Sequence, residues 1–301
     1  MNQFKHVALF SRRKQIAPIA ETLKSVYAFL QQKKINVVWD QVTADALGII
    51  NQPTFTVEEI GKYCDLLIVV GGDGSLLGAA NALVDYDIPV IGINRGKLGF
   101  LTDILPEQIT EKLNEILAGN YKQEERFLLY AEIQTPQEKV LAKHTALNEV
   151  SLYAAHAARL MEFEVYINEQ FVFNQRSDGL IIATPTGSTA YALSGGGPIL
   201  HPSLECIVLV PMLPHALTSR PIVIDSSATI DVVITKDIQS GPDVSWDGQH
   251  IHSLHPQDRI RIRRHAHRLK ILHPSDYDYY QTLRTKLQWG SKLTPKQGYA
   301  D

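Results

Sequence analysis

The segment Leu66–Ser75 constrains the fold of this chain more than any other, because an apolar run ends there in a glycine-rich turn. Five consecutive Leu, Ile and Val residues, Leu66–Val70, predict a strand that is buried on both faces. The apolar spacing that follows predicts a helix with Ser75 as its N-cap. Such a turn lets an anion approach the backbone, and the start of a helix favours negative charge. Three glycines make up most of the turn: Gly71, Gly72 and Gly74.

One acidic residue, Asp73, lies inside this predicted phosphate loop. A carboxylate beside phosphate oxygens is repelled unless a cation or a proton transfer gives it a role. The alternative is a tight turn in which Asp73 only accepts hydrogen bonds from nearby amides. Asp73 is therefore the first candidate for a catalytic residue.

Two common phosphate-binding motifs do not match this sequence. It contains no G-x-x-x-x-G-K-[ST], and Gly92–Lys97 lacks the hydroxyl residue of that motif. Gly72, Gly74 and Gly78 have the spacing G-x-G-x-x-x-G, which differs from the dinucleotide fingerprint. A P-loop NTPase and a hydride-transferring Rossmann enzyme are both disfavoured.

The order of the patterns along the chain predicts an α/β plus all-β protein. Strand and helix patterns alternate first and predict an N-terminal Rossmann-like parallel α/β domain at residues 1–125. Short alternating runs then predict a C-terminal, mostly antiparallel, β-sandwich-like domain at residues 126–274. The aromatic tail, residues 275–301, is expected to pack back on the first domain. Within the β domain we predict a hairpin turn at Asn168–Glu169 and two strands, Ile260–Arg264 and Leu269–Leu272.

Composition narrows the function classes. A net charge of −3 argues against a nucleic-acid binder, which needs a basic field. The basic run Arg259–Lys270 alternates with apolar residues and indicates a half-buried strand rather than a polyanion site. Cys64 and Cys206 lie far apart in apolar segments, which is typical of reduced thiols. With no apolar run of 18 residues, a cytoplasmic protein without membrane contact is expected.

Histidines recur in two short alternating pairs. His250 and His252 form one pair, and His265 and His267 form the other. Neither pair has an acidic or thiolate partner at a spacing typical of zinc ligands, so surface histidines are favoured over a structural zinc site.

A second candidate site lies in the run Arg176–Pro198. Its hydroxyl and glycine residues are denser than a plain surface turn requires, and they offer donors, acceptors and accessible backbone to a ligand. Asp178 precedes the apolar run Leu180–Ala183, an arrangement that favours the floor of a site. Upstream, Asn148 and Glu149 place an amide and a carboxylate side by side.

Together these motifs resemble the NAD kinase family, in its gamma-proteobacterial form. The shared motifs, in the family's order, are Gly-Gly-Asp-Gly at 71–74, Asn-Glu at 148–149, Ser-Asp-Gly-Leu-Ile-Ile at 177–182, Thr-Pro-Thr-Gly-Ser-Thr-Ala-Tyr at 184–191 and Asp-Gly-Gln at 247–249. The first motif also occurs in diacylglycerol and sphingosine kinases, whereas the 177–191 block is specific. Ser75 and Gly195 depart slightly from the family's usual residues.

The resemblance implies that the chain transfers the γ-phosphoryl group of ATP, with Mg²⁺, to the 2′-hydroxyl of the adenosine ribose of NAD⁺. Asp73 is then the candidate base, since a secondary alcohol is a poor nucleophile at neutral pH. The metal ligands stay unassigned. The resemblance also implies a homodimer or homotetramer built through the β domain. Two alternatives stay open: a lipid kinase, which shares the glycine loop, and a non-catalytic NAD-binding sensor.

The resemblance further implies which residues contact substrates. Asn148 and Glu149 would hold the adenine and ribose side, and Asp178 the nicotinamide carboxamide or its ribose. Arg159 and Arg176 would face the charge of the dinucleotide. The remaining candidates are nucleotide-binding: Gly71, Gly72, Gly74, Thr186, Thr189, Ala190, Tyr191, Ala192, Leu193, Ser194, Asp247 and Gln249.

Overall fold

A computed structural model describes residues 3–11, 16–95, 99–154, 161–235 and 241–289. The chain forms two compact units, called unit 1 and unit 2 below. Unit 1 comprises Met1–Leu76, Pro89–Glu124 and Ile271–Asp301, and unit 2 comprises Leu77–Ile88 and Glu125–Lys270.

The first part of the described chain alternates strands and helices. In chain order these are β1 (His6–Phe10), α1 (Ile16–Gln32), β2 (Asn36–Asp40), α2 (Gln41–Leu47), β3 (Thr54–Phe55), α3 (Val57–Tyr63), β4 (Leu66–Val70), α4 (Asp73–Leu83), β5 (Val90–Ile93) and α5 (Ile109–Leu117).

The second part consists mainly of strands. These are β6 (Tyr121–Gln134), β7 (Val140–Ala146), β8 (Glu149–Tyr153), β9 (Met161–Ile167), β10 (Gln170–Ser177), β11 (Gly179–Ala183), the short helix α6 (Tyr191–Ser194), β12 (Cys206–Met212), β13 (Ile222–Asp225), β14 (Ile230–Ile234), β15 (Asp243–Trp246), β16 (His250–Ser253), β17 (Arg259–Pro274) and helix α7 (Tyr279–Leu287).

Unit 1 contains a parallel sheet in the order β3-β2-β1-β4-β5. Every residue of β4 is buried, as the apolar run Leu66–Val70 predicts. Helix α3 begins after Thr56, whose side chain forms a capping box with Glu59. Helix α4 begins at Asp73, so the prediction of Ser75 as its N-cap is wrong. Ser75 instead lies inside the first turn, where its N–H donates to the carbonyl of Gly72.

Unit 2 contains two sets of antiparallel strands around one apolar core. One sheet has the order β13-β12-β11-β8-β15-β16, and strands β10-β9-β14-β17 pair in succession in the other. The core cluster includes Trp246 and Leu180 from the first sheet and Phe163 and Ile260 from the second. The fold class predicted from the sequence, α/β plus all-β, is confirmed.

Some boundaries in the β region differ from the predicted ones. The hairpin turn at Asn168–Glu169 is confirmed, and both residues have positive φ angles, of 50° and 66°. The two strands predicted at Ile260–Arg264 and Leu269–Leu272 form one continuous strand, β17. Its basic side chains alternate with buried apolar ones, as predicted for a half-buried strand. Arg261 pairs with Asp231, and both Arg264 and Arg268 pair with Glu205.

Unit 1 holds a buried histidine, His273, at the end of β17. Its Nδ1 lies 2.7 Å from Asp103 Oδ2, its Nε2 lies 3.5 Å from Glu124 Oε2, and its ring stacks on Tyr277 with centroids 3.9 Å apart. Burial lowers the pKa of His273, but the hydrogen bond to Asp103 and the negative charges of Asp103 and Glu124 outweigh burial and raise the pKa above its usual value. The folded state therefore favours the imidazolium form.

This shift predicts a pH dependence of stability. A raised folded-state pKa stabilises the fold below the unfolded pKa, and that contribution is lost as pH rises through the folded pKa. Between the unfolded-state pKa, near the ordinary value of 6.5, and the higher folded-state pKa, we expect the free energy of unfolding to fall by about 1.4 kcal/mol per pH unit. Urea unfolding between about pH 6 and 9 measures it. His273→Gln should remove that slope, whereas the exposed-site variant His255→Gln should retain it; equal slopes in all three proteins would contradict the prediction.

Candidate active site

Asp73 of unit 1 is held by the backbone of a neighbouring loop. Its Oδ2 accepts a hydrogen bond from the N–H of Phe100 at 2.9 Å, and its Oδ1 accepts one from the N–H of Leu101 at 3.0 Å. The hydroxyl of Thr102 donates to Oδ1 at 3.3 Å. A Cβ at Gly99 would overlap Oδ1 of Asp73, so the close contact between the backbone at position 99 and this carboxylate requires a glycine. The carboxylate is thus fixed in position, and three of its about four lone-pair sites are in use.

The glycine loop in front of Asp73 is open on one side. A Cβ at Gly71 would overlap the Ser75 hydroxyl, so packing within the loop explains this glycine. A Cβ at Gly72 would meet no atom within 4 Å, so packing among the described residues does not require a glycine there. A ligand that lies against the backbone would explain why glycine occupies this position.

In unit 2, Asp247 organises the turn that carries Asn148 and Glu149. Its two carboxylate oxygens accept hydrogen bonds from the backbone N–H groups of Leu147, Asn148 and Glu149, at 2.8–3.1 Å. The side-chain amide of Asn81 donates a fourth, at 3.0 Å. Because these contacts occupy both oxygens, Asp247 is a positioning residue for this turn.

The hydroxyl-rich segment of unit 2 packs against the same turn. The Thr184 hydroxyl donates to the carbonyl of Leu147 at 2.6 Å, and the Thr184 N–H donates to the carbonyl of Asn148 at 2.9 Å. A Cβ at Gly187 would overlap that Asn148 carbonyl. The structure therefore brings together two motifs that are more than thirty residues apart in the sequence.

Glu149 is buried and lacks a partner for one of its oxygens. Only 7% of the residue is exposed, and its Oε2 has no hydrogen-bond partner among the described residues. Burial, and then the negative charge of Asp247, raise the pKa of Glu149 to about 8, although a hydrogen bond from the Tyr191 N–H opposes the shift. At neutral pH the carboxyl is largely protonated and can donate a hydrogen bond to an acceptor atom of a ligand.

The segment after Gly187 forms a tight turn followed by α6. The Thr189 hydroxyl donates to the carbonyl of Thr186, which fixes this turn. Ala192 is buried against the six-stranded sheet, whereas 44% of Tyr191 is exposed. Ala190, Leu193 and Ser194 lie between or beside these residues. Exposed, half-buried and buried residues thus follow one another over a short stretch that starts at Gly187, which packs against the Asn148 carbonyl.

Asp178 and Arg176 lie at the end of β10 but are not paired with each other. The backbone of Asp178 bonds to Met212 and Ala154, and no described residue donates a hydrogen bond to its carboxylate. The Arg176 side chain is 65% exposed, and its Nε lies 3.8 Å from Glu162 Oε2 on the adjacent strand. Arg159 lies outside the described residues.

Two polar residues of unit 2 escaped the sequence analysis. Arg126 is buried, and its guanidinium donates to the Thr186 hydroxyl at 3.4 Å. Asn81 links Asp247 to Thr145, whose hydroxyl donates to the Asn81 side-chain oxygen at 3.1 Å. Asn81 carried a usable signal, because it is a polar residue within an apolar helical run. Arg126 had no such signal.

No group of three or more His, Cys, Asp and Glu side chains in the described ranges could hold a metal ion. None of the described helices is long and apolar enough to cross a membrane.

Comparisons with known proteins connect both units to one family. Residues 12–121 match the model of the ATP-NAD kinase N-terminal domain, and residues 147–273 match that of the ATP-NAD kinase C-terminal domain. The NAD kinase of Pseudomonas entomophila is 47% identical over 293 residues, which cover 97% of this chain and 98% of the relative. The NAD kinase of Pseudomonas syringae pv. syringae is 46% identical over 293 residues, which again cover 97% of this chain and 98% of the relative.

Solved structures agree with the fold. A yeast NADH kinase complexed with NADH superposes with a TM-score of 0.87 at 22% identity, covering 97% of this chain and 90% of the other, and this likeness concerns the fold alone. An NAD kinase from Archaeoglobus fulgidus in complex with ATP gives a TM-score of 0.73 at 25% identity, covering 94% and 98%. The family predicted from the motifs is confirmed, and the lipid kinase and the sensor are not supported. The chain belongs to the NAD kinase family of ATP-dependent phosphotransferases.

Proposed function

We propose that this chain catalyses the transfer of the γ-phosphoryl group of ATP to the 2′-hydroxyl of the adenosine ribose of NAD⁺. A bond forms between the 2′-oxygen and the γ-phosphorus, the bond from that phosphorus to the bridging oxygen breaks, and NADP⁺ and ADP leave. Catalysis of phosphoryl transfer rests mainly on alignment and charge neutralisation. Mg²⁺ bound with ATP would supply part of this charge neutralisation on the phosphate oxygens.

The observation that carries this proposal is the fixed carboxylate of Asp73 next to an open glycine backbone. Its hydrogen bonds to the Phe100 and Leu101 N–H groups hold the side chain in one orientation. The contacts with described residues leave one lone-pair site of the carboxylate to accept the proton of the attacking hydroxyl. The backbone at Gly72 is free to lie against phosphate oxygens.

We assign binding of the dinucleotide to unit 2. Asn148 and Glu149 would contact the adenosine part, with the protonated Glu149 carboxyl donating to a ring nitrogen or a ribose oxygen. The exposed Tyr191 and the surrounding residues 189–194 would line the adenine pocket. Arg126 and Asp247 would hold Thr186 and the Asn148 turn in place.

The proposal is tested by turnover. Purified chain, ATP, Mg²⁺ and NAD⁺ should yield NADP⁺, measured with an NADP-specific dehydrogenase. Replacing NAD⁺ with diacylglycerol or sphingosine should yield no phosphorylated product. Absence of NADP⁺ from a folded chain that still binds NAD⁺ would contradict the assignment.

Asp178 gives a second, binding-based prediction. Because no described residue donates to its carboxylate, we infer that this group serves the nicotinamide carboxamide or its ribose. Asp178→Ala should weaken NAD⁺ binding by roughly 1 to 3 kcal/mol, since polar substrate groups lose their acceptor. Calorimetry measures this change, with Asp243→Ala in unit 2 as a control that should leave the affinity unchanged. An unaltered Kd in a stable Asp178→Ala protein would remove Asp178 from the site.

Domain division, assembly and location complete the proposal. We propose an α/β domain over residues 1–125, with tail 275–301 packed on it, and a dinucleotide-binding β domain over residues 126–274.

Exposed apolar side chains at the sheet edges of unit 2, such as Phe171 and Ile251, support a homodimer or homotetramer through the β domain. Light scattering on the purified chain tests this. The free thiols of Cys64 and Cys206 suit the cytoplasm.

A further inference from the structure

In unit 1, the loop that holds Asp73 spans residues 99–103, and it is called the clamp loop below. The N–H groups of Phe100 and Leu101 and the hydroxyl of Thr102 donate to the Asp73 carboxylate. The backbone at the first residue of the loop lies so close that a Cβ there would overlap both Asp73 Oδ1 and Thr102 Oγ1. The orientation of the Asp73 carboxylate therefore depends on where the clamp loop lies.

One part of the clamp loop is anchored to the end of β5. The side-chain amide of Asn94, directly after this strand, donates to the Thr102 hydroxyl at 2.8 Å and to the Thr102 carbonyl at 3.3 Å. Because Asn94 occupies a lone pair of that hydroxyl, the hydroxyl proton is available to Asp73. The Asn94 N–H also donates to the carbonyl of Ile104 at 2.8 Å. These contacts hold the backbone around Thr102 but leave the next side chain, Asp103, to another partner.

That partner comes from a distant part of the sequence. Oδ2 of Asp103 lies 2.7 Å from Nδ1 of His273, which is 170 residues away. Only 8% of the Asp103 side chain and none of the His273 side chain is exposed. Oδ1 of Asp103 has no hydrogen-bond partner among the described residues, so its carboxylate depends on His273. Since a buried charge that loses its partner is strongly disfavoured, the pair holds this end of the clamp loop in place.

The ring of His273 is itself held in one orientation. Strand β17 pairs in parallel with β5 through Ile271, two residues before His273. Nε2 of His273 faces Oε2 of Glu124 at 3.5 Å, and one face of the ring stacks on Tyr277 with planes 9° apart. Contacts at both nitrogens and on one face thus direct Nδ1 toward Asp103.

The residues that follow β17 reach the clamp loop a second time. Nζ of Lys286, on helix α7, lies 5.7 Å from the centroid of the Phe100 ring. The segment between β17 and α7 is tied to α5, because Nζ of Lys112 lies 3.0 Å from Oδ2 of Asp276. The end of the chain that the structure describes therefore contacts the clamp loop at both Phe100 and Asp103.

We propose that the buried pair of His273 and Asp103 positions the catalytic base. The pair fixes the clamp loop, and the amides of this loop orient the Asp73 carboxylate toward the attacking hydroxyl. His273 is a positioning residue, since its side chain is fully buried and acts through the loop. Because Asp73 is the base of the proposed function, this positioning role rests on that function. A misplacement of about 1 Å at a reacting group can cost about a hundredfold in rate.

Backbone amide NMR on the full chain tests the positioning without turnover. The signals of the Phe100 and Leu101 amide protons report their hydrogen bonds to Asp73. We expect His273→Leu to shift both signals, because the Asp103 carboxylate loses its donor and the clamp loop moves. His273→Asn places a side-chain amide near the position of Nδ1, so it should return both signals toward those of the unmodified chain.

Kinetics give the second measurement. His273→Leu should lower kcat about ten- to a hundredfold, with the KM for NAD⁺ changed by less than about twofold, because the dinucleotide contacts are assigned to unit 2. His273→Asn should recover most of the lost kcat. The matched control is Leu23→Ala, which truncates a fully buried side chain of α1 in the same unit and should leave kcat and both amide signals unchanged below its unfolding midpoint.

A milder variant keeps the proposal testable if His273→Leu does not fold. Asp103→Asn preserves the size of the side chain and an acceptor for Nδ1 but removes the charge, and it should lower kcat about three- to tenfold. Unchanged kcat and amide signals in folded His273→Leu or, if that protein does not fold, in Asp103→Asn would overturn the positioning role. So would a His273→Asn protein no more active than His273→Leu.

Failure of the proposed function would look different. If the variants shift the Phe100 and Leu101 signals as expected but the unmodified chain forms no NADP⁺, the proposed function is contradicted, and the control of Asp73 by His273 is supported.

Discussion

Asp73→Asn should reduce kcat by about 10² to 10⁴ while NAD⁺ affinity changes by no more than several-fold. The amide cannot accept the proton of the 2′-hydroxyl, so the base is lost while the dinucleotide contacts assigned to unit 2 persist. Steady-state kinetics with ATP and NAD⁺ give kcat, and calorimetry gives the Kd for NAD⁺. Turnover close to that of the unmodified chain would show that Asp73 is not the base.

Two controls separate chemistry from folding. In the Asp73→Asn variant the new side-chain amide would face the N–H of Phe100 or Leu101 with a donor, so a local loss of stability of about 1 to 3 kcal/mol is expected. Kinetics must therefore be measured well below the unfolding midpoint. Asp45→Asn removes an exposed carboxylate of unit 1 and should leave kcat unchanged.

Asp247→Ala should destabilise the fold by about 3 to 5 kcal/mol. The substitution removes a buried carboxylate that accepts hydrogen bonds from three backbone N–H groups and from the Asn81 amide. Urea unfolding measures the change. Asp225→Ala is a suitable control, because Asp225 is exposed and should cost less than about 1 kcal/mol.

Loss of Asp247 should also weaken NAD⁺ binding, although its own oxygens have no free site for substrate. Without this carboxylate the turn at Asn148 and Glu149 loses its anchor. Asp247→Asn is a milder substitution, because it keeps one acceptor oxygen. Its free energy of unfolding should lie between those of the unmodified chain and of the Asp247→Ala variant. A destabilisation of Asp247→Ala no larger than that of Asp225→Ala would contradict the positioning role.

Local sequence determined the elements that depend on local interactions. Strand Leu66–Val70 has the bounds that the apolar run predicts, and the start of helix α3 depends on residues next to it in the sequence. An apolar run that ends in glycines limits the strand, and the capping box of Thr56 begins the helix. The turn at Asn168–Glu169 is likewise fixed by its own residues, because asparagine tolerates positive φ angles. The family, too, could be inferred from contiguous motifs.

Contacts between distant segments were decided by tertiary structure alone. The partners of Asp73 are 27 to 29 residues away, the three backbone partners of Asp247 are 98 to 100 residues away, and Asn81 is 166 residues from it. Nothing in the Asp-Gly-Gln motif indicates that its carboxylate would serve the backbone of another motif. Arg176 similarly pairs with Glu162 across two strands, a contact set by strand register.

Periodicity and motifs are local properties, and for this reason the strand–loop–helix unit, the fold class and the chemical types of the candidate residues could be predicted from the order of residues. Packing between distant segments determines which of these residues hold others in place and which keep a group without a described partner. Glu149 illustrates the physical reason: a glutamate has an ordinary pKa of 4.5, and only burial beside Asp247 raises it to about 8. Desolvation depends on packing around the side chain, which no local pattern of residues encodes.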